Sequence, residues 1–248
     1  MKQLQRFAAV IGMVALLGAG CGAPTPEGIL PSPSRPTASG GCANAYYPFK
    51  PNTSILYSMA GTGASTDFRM SVLEPPAPGE HKMEYSFMVQ GQESKITQEF
   101  TCEGGKISSK GYLDFASALG MGTRFESTAV VGEFLPADLS IGKEWETKYD
   151  AVIRTDNPQL KALLDGKTQS MVIKSKVIAD ESVTVPAGTY SAKKIVQSIV
   201  TKSSAIPGGA TITIDQTIWL VKDIGLVRSE VRAQGSVSSI MEAKEINR

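Results

Sequence analysis

Apolar and polar side chains alternate along most of the chain beyond residue 54. A period of two, with the apolar residues on one side, is typical of a β-strand that is buried on one face. Turn-forming residues interrupt the pattern at 90–92 and 103–105. The alternation predicts roughly four or five antiparallel strands before residue 112. Their inward side chains are Ile55, Tyr57, Met59, Phe68, Met70, Val72, Met83, Tyr85, Phe87, Val89, Ile96, Phe100 and Cys102.

The second half of the chain continues the alternation and adds one helical segment. Residues 157–165 carry the best helix signal, with Asp156 or Asn157 as a cap, Pro158 in the first turn and Gly166 as a stop. The pattern at residues 113–122 fits a short helix or a loop. The strands of this half run through Phe125, Ser127, Ala129, Val131, Trp145, Thr147, Tyr149, Ile153, Met171, Ile173, Ile212 and Ile214.

This interpretation gives about ten strands against one or two helices. It predicts a mainly β, antiparallel fold with one or two short helices. Of the 248 residues, 42% are hydrophobic and 20% are charged, as in folded globular proteins. About 200 residues beyond the N-terminal region suffice for one hydrophobic core. We therefore expect residues 42–248 to form a single β-rich domain.

The N-terminal residues have the parts of a secretory signal peptide. Lys2 and Arg6 form a basic region, an apolar run extends from residue 7 to residue 17, and small residues follow. The apolar run is shorter than the about 20 residues that a membrane-spanning helix needs. We expect residues 1–20 to be a signal peptide rather than a retained anchor.

Cys21 ends a segment that resembles the bacterial lipobox, in which the signal is removed just before a cysteine that carries diacylglycerol. The segment departs from the usual motif, because Gly18 stands where Leu is common and Leu17 lies one position earlier. Cleavage after Ala23, or a Cys21 thiol in a discarded signal, are the alternatives. Lipid on Cys21 would anchor an exported protein to the cell membrane or envelope, with its domain facing the periplasm or the exterior.

Residues 21–41 are rich in Pro, Gly, Ser and Thr. Such a composition cannot bury enough apolar surface to offset the entropy lost on ordering. We interpret this segment as a solvated tether between the lipid on Cys21 and the domain.

Cys42 and Cys102 remain as an even pair once Cys21 is assigned to lipid. A disulfide between them would close a loop of about sixty residues and, from chain entropy, stabilise the fold by roughly 4 kcal/mol. Two buried free thiols are the alternative.

Two segments of the final third carry a resemblance to a known family. Residues 185–195 (VPAGTYSAKKI) and 217–230 (TIWLVKDIGLVRSE) resemble the paired signature of TapB-like secreted lipoproteins, and residues 46–50 (YYPFK) resemble their opening motif. The usual Gly and Trp after that motif are replaced by Asn52 and Ile55. These lipoproteins belong with uncharacterised domains related to the LolA and LolB lipoprotein carriers. The resemblance implies a LolA-like curved sheet or incomplete β-barrel, with the short helix closing one side.

Both signature segments consist of strands and turns rather than catalytic groups. Residues 186–189 and 222–225 suit tight turns, and Gly225 can adopt a positive φ without steric cost. Trp219 either lines a ligand cavity or belongs to the core.

The sequence offers little for catalysis or metal binding. The one histidine, His81, follows Gly79 and Glu80 in a predicted exposed turn, and a lone histidine gives no metal-ligand set. No nucleophile elbow, phosphate-binding loop or dinucleotide fingerprint occurs. A formal net charge of +1 gives no long-range attraction for nucleic acid. We expect no enzyme activity, metal or cofactor, and a hydrolase that uses His81 is the catalytic alternative.

Two functions remain. The first is a non-catalytic, membrane-anchored envelope lipoprotein that shelters an apolar ligand such as a lipid or acyl chain, with Tyr85, Phe87 and Trp219 as candidate ligand-binding residues. The second is a structural or interaction lipoprotein with a filled core, which binds an envelope protein partner through a strand edge or a loop.

Overall fold

The computed structural model describes residues 42, 44–47, 49–61, 64–89, 91–111, 123–205, 211–233 and 236–248. The predicted signal peptide, Cys21, the predicted tether and the segment 113–122 lie outside the described residues. Within them, twelve strands form one sheet. The strands are β1 Ser54–Gly61, β2 Ala64–Val72, β3 Glu80–Val89, β4 Gln92–Glu103, β5 Lys106–Ser109, β6 Thr123–Gly132, β7 Glu144–Thr155, β8 Thr168–Val185, β9 Gly188–Ser203, β10 Thr211–Val221, β11 Gly225–Ala233 and β12 Ser236–Asn247.

The sheet is an antiparallel meander that curls back on itself. Each strand pairs with the next one in sequence except at β5 and β6, and β1 pairs with β12. The two edge strands, β5 and β6, therefore border a seam, at which the described residues form one isolated bridge between Ile107 and Leu135. The mainly β, antiparallel prediction is confirmed, and the sheet is nearly closed into a barrel with one unsealed seam.

One α-helix, α1 (Pro158–Leu164), follows β7 where residues 157–165 predict it. The side-chain oxygen of Asn157 accepts a hydrogen bond from the backbone N–H of Gln159 at 3.0 Å, which caps the first turn. Gly166 ends the helix with φ of 74°, and its N–H donates to the carbonyl oxygen of Ile153 at 2.8 Å. The helix is thereby held beside β7. None of the described helical residues forms a segment long and apolar enough to cross a membrane.

The turns of the two signature segments are present. Two residues, 186 and 187, connect β8 to β9. Between β10 and β11, Asp223 and Gly225 have φ of 63° and 102°. Glycine adopts a φ of 102° without steric cost, which explains why a glycine occupies the first position of β11.

Strand β6 departs from the predicted alternation. A register shift between Ser127 and Ala129 marks a β-bulge. Beyond it, Val130 pairs with Tyr149 and packs against the core, whereas Val131 is 61% exposed. The prediction that Val131 continues the face of Phe125 is wrong, because one inserted residue moves all later side chains to the opposite face.

The inward side chains of the barrel form one hydrophobic cluster. Cys42 lies at the end of the barrel where the even-numbered strands finish, which we term the proximal end. The odd-numbered strands finish at the opposite, distal end.

Candidate functional site

A disulfide joins the first described residue to the sheet. Cys42 and Cys102 are bonded, with their Cα atoms 5.3 Å apart and a separation of 60 positions in sequence. The bridge that the cysteine count predicts is therefore present in the structure. It fixes residue 42 beside the proximal end of β4.

Asn44 connects the two sides of the seam at the proximal end. Its side-chain nitrogen donates to the carbonyl oxygen of Gly105 at 2.8 Å and to that of Pro136 at 2.9 Å. Gly105 lies in the turn between β4 and β5, and Pro136 lies between β6 and β7. The side-chain oxygen of Asn44 accepts from the N–H of Tyr46 at 2.9 Å. One buried amide thus spans the seam with its donor and acceptor groups in use.

Three further contacts reinforce the same end of the seam. The N–H of Ile107 donates to the carbonyl oxygen of Leu135 at 2.9 Å, and the reverse bond measures 3.2 Å. On the outside, Lys106 and Glu133 form an ion pair at 3.1 Å. The seam is consequently fastened where β5 begins, by groups that are far apart in sequence.

An aromatic cluster fills the interior at the proximal end. Phe100 is fully buried, and its ring centroid lies 5.0 Å from that of Tyr47 and 5.2 Å from that of Phe134. The rings of Phe49 and His81 stack with centroids 3.8 Å apart. These side chains come from the N-terminal segment, the sheet and the β6–β7 connection, so together they close this end of the core.

His81 is buried in β3, and the prediction that it lies in an exposed turn is wrong. The strand begins at Glu80, so His81 already faces inward opposite Phe100. It is 8% exposed, and burial lowers its pKa. Its Nε2 atom is buried without a hydrogen-bond partner among the described residues. This arrangement offers no partner that would orient His81 as a general base.

The inward apolar side chains toward the distal end are less deeply buried. Met59, Phe87, Ile96 and Ile212 are half-buried and pack against the main cluster. Tyr85 lies two residues before Phe87 on the same face of β3 and is 1% exposed, and burial raises its pKa above the usual value. Of these two predicted ligand-binding residues, Phe87 is therefore the more accessible.

Trp219 lies on the other face of the sheet from the inward residue Ile218, which precedes it on β10. Its ring is covered by Lys194 and Arg228, whose charged groups lie 5.3 Å and 5.4 Å from its centroid. Its indole N–H donates to Glu181 at 2.6 Å, and this hydrogen bond is the main cause of the lowered pKa of Glu181. The structure does not bring Trp219 together with Tyr85 and Phe87.

Gln98 and Gln216 are buried at inward positions, each beside a serine. Gln98 donates to Ser109 at 3.1 Å, and Gln216 donates to Ser229 at 2.9 Å. Within the described part of the chain, the side-chain oxygen of each of these glutamines is buried without a hydrogen-bond partner. Such an atom costs about 1–3 kcal/mol if it stays unpaired. Sequence reasoning missed both residues, and the usable signal was a polar side chain at an inward position, such as Gln98 between Ile96 and Phe100.

A groove of about 630 Å³ crosses the surface of β7–β10. Its charged lining includes two ion pairs, Lys176 with Glu144 at 2.7 Å and Lys174 with Glu146 at 3.8 Å. All four of these side chains are exposed, so this groove suits solvent better than an apolar ligand. No cluster of three His, Cys, Asp or Glu side chains suitable for a metal ion occurs among the residues that the structure describes.

The fold and its buried polar pairs define a class: a nearly closed antiparallel β-barrel whose first described residues are fixed by a disulfide. The family model described as DUF3108-like matches residues 81–241, and the chain belongs to this family. The resemblance to TapB-like lipoproteins and to LolA and LolB stays a prediction.

Two solved structures share this fold. A candidate lipoprotein from Parabacteroides distasonis aligns with a TM-score of 0.58 and 20% identity, over 82% of this chain and 99% of its own. A candidate exported protein with a YmcC-like fold from Bacteroides fragilis aligns with a TM-score of 0.58 and 16% identity, over 83% of this chain and 100% of its own. No curated protein matches the chain.

Proposed function

We propose that the protein is a non-catalytic lipoprotein of the cell envelope that binds an amphiphile, such as a lipid or an acyl chain, inside its barrel. In this proposal the chain is exported and anchored through lipid on Cys21, and residues 21–41 hold the barrel away from the membrane. The descriptions of the two structural neighbours, one as a candidate lipoprotein and one as a candidate exported protein, support export.

One observation carries the ligand-binding part of the proposal. The proximal interior is filled by the fully buried Phe100 and its aromatic neighbours, whereas Phe87 and Ile212 toward the distal end face inward and are only half-buried. Apolar side chains that keep part of their surface accessible inside a curved sheet are suited to an apolar ligand.

The test is to purify the full-length protein from membranes in a mild detergent and to measure its mass under native conditions. We expect additional mass from non-covalent lipid that organic extraction removes, while the covalent lipid on Cys21 remains. Phe87→Ser should lower the bound lipid, whereas Val131→Ser, on the exposed side of β6, serves as the matched control. A protein that carries no extractable lipid, and takes none up from vesicles, would contradict the proposal.

A second function is favoured by the complete burial of Met83 and the near-complete burial of Tyr85. A barrel whose interior is filled throughout would instead act as an interaction module for an envelope protein. Cross-linking in cells followed by mass spectrometry distinguishes the two. One stoichiometric protein partner together with an absence of bound lipid would favour the interaction module.

A further inference from the structure

Gln98 and Gln216 have the same chemistry but different positions in the sheet. Gln216 lies on β10, and hydrogen-bonded strands flank it on both sides. Gln98 lies on β4, and its partner Ser109 lies on β5, the edge strand at the seam. Of the two unpartnered oxygens, only that of Gln98 is next to the break in the sheet.

The hydrogen bonds around Ser109 determine which atom of Gln98 is free. The Ser109 hydroxyl donates to the carbonyl oxygen of Gly111 at 2.5 Å, and its oxygen lies within hydrogen-bonding reach of Tyr149 on β7. Because the hydroxyl proton is used, Ser109 must accept from the amide nitrogen of Gln98. The amide oxygen then points elsewhere, and it is enclosed, since Gln98 is 6% exposed.

The two edge strands of the seam are not paired with each other beside this network. Ile107 pairs with Leu135, and two residues beyond the end of β5 a Cβ atom on Gly111 would lie 3.2 Å from the hydroxyl oxygen of Ser127. Between these two contacts, residues 108–110 on one side face residues 128–134 on the other. Among the described residues no ladder joins β5 to β6, so Gln98 and Ser109 lie beside an unpaired stretch of the sheet.

We propose that the amide oxygen of Gln98 binds the uncharged, hydrogen-bond-donating head group of an acyl lipid, such as a hydroxyl or an amide N–H, at the seam between β5 and β6. This proposal rests on the proposed function and names the ligand class and one contact of that function. The head group must donate, because the free atom of Gln98 is an acceptor.

The surroundings argue for a neutral head group and an apolar tail. Met83, which pairs with Gln98, and Phe100, two residues farther on the same face of β4, carry no charge, and a buried ionised group without a partner is strongly disfavoured. Ile96 precedes Gln98 by two residues on the same face of β4, on the side of the distal end. An acyl chain that extends from Gln98 toward the distal end would contact Ile96 and then Phe87.

The experiment uses the full-length protein in a zwitterionic detergent and a monoacylglycerol with a photoactivatable diazirine in its acyl chain. We expect saturable labelling of peptides that contain residues 96–111, and weaker labelling by a diazirine fatty acid at a pH where it is an anion. Gln98→Met should weaken the affinity for the monoacylglycerol about threefold to tenfold, the effect of losing one hydrogen bond. Gln216→Met is the matched control and should leave the affinity unchanged.

The outcomes separate this proposal from the function on which it rests. Saturable labelling that both variants leave unchanged, or that both weaken equally, overturns the seam site but leaves lipid binding standing. An absence of saturable labelling of the unaltered protein overturns both. If Gln98→Met does not fold, Ser109→Ala replaces it, because loss of the hydroxyl releases the amide, and an unchanged affinity in that variant also overturns the site.

Discussion

The two ends of the barrel are built differently. At the proximal end, a disulfide, the Asn44 amide and the ring of Phe100 join the N-terminal segment, the sheet and the β6–β7 connection into one closed unit. At the distal end, inward side chains such as Phe87 are only half-buried. The proximal end therefore keeps the two edges of the seam together, whereas the interior toward the distal end is less tightly packed.

The disulfide should make the largest contribution to this difference. We expect the double variant Cys42→Ala, Cys102→Ala to lose about 4 kcal/mol of unfolding free energy, since the bridge closes a loop of 60 residues. Urea unfolding measures the loss, and hydrogen exchange should show it most strongly at the amides of Ile107 and Leu135. A variant with an unchanged unfolding midpoint would show that the N-terminal segment adds little to the proximal end.

A pair of matched truncations compares the ends directly. Phe100→Ala should cost about 3 kcal/mol or more, because Phe100 is fully buried and contacts three aromatic rings. Phe87→Ala should cost only about 1 kcal/mol, because part of its surface is already accessible. Thermal and urea unfolding of the two variants measure the difference, and equal losses would mean that the distal interior is packed as tightly as the proximal one.

Asn44→Ala tests the seam itself. The change leaves two buried carbonyl oxygens, those of Gly105 and Pro136, without their donor, so we expect a loss of about 2 kcal/mol. Asn247→Ala is the control, because that side chain is exposed and its hydrogen bond to Ser54 is long at 3.5 Å. If the two variants unfold alike, the Asn44 amide does not hold the seam.

Local patterns in the sequence predicted the features that depend on local physics. Alternation located strands such as β3 and β4, and Asn157 and Gly166 marked the ends of the helix, because caps and strand faces are set by residues close together in sequence. The cysteine count indicated the pair Cys42 and Cys102 because few pairings were possible.

The features that the sequence did not predict depend on partners distant in sequence, on the residue at which a strand begins, or on a bulge that shifts the alternation by one residue. Asn44 bonds to residues 61 and 92 positions away, and nothing in the neighbouring sequence identifies those carbonyl groups. The bulge in β6 exposes Val131, and a strand that starts at Glu80 buries His81. The seam and Gln98 became apparent only once the order of the strands was known.

The smallest effect that we expect is a pH dependence of the unfolding free energy, which arises from His81 at the proximal end. Burial lowers the pKa of His81 below the ordinary value of 6.5, so between these two values the unfolded chain binds more protons than the folded one. The stabilisation is present above pH 6.5 and is lost as the pH falls through this window, with a slope of at most about 1.4 kcal/mol per pH unit.

The carboxyl groups with lowered pKa, such as Glu99 and Glu126, start from an ordinary value of 4.5, so a slope between pH 6.5 and pH 5 reports mainly on His81. His81→Phe keeps a ring against Phe49 and removes the titration. Urea unfolding between pH 7 and pH 5 should therefore give a sloping free energy for the unaltered protein and a flatter one for the variant. Identical slopes would mean that the proximal cluster opens enough to hydrate His81, and the contrast between a closed and an adaptable end would then be weaker than the burial of its rings implies.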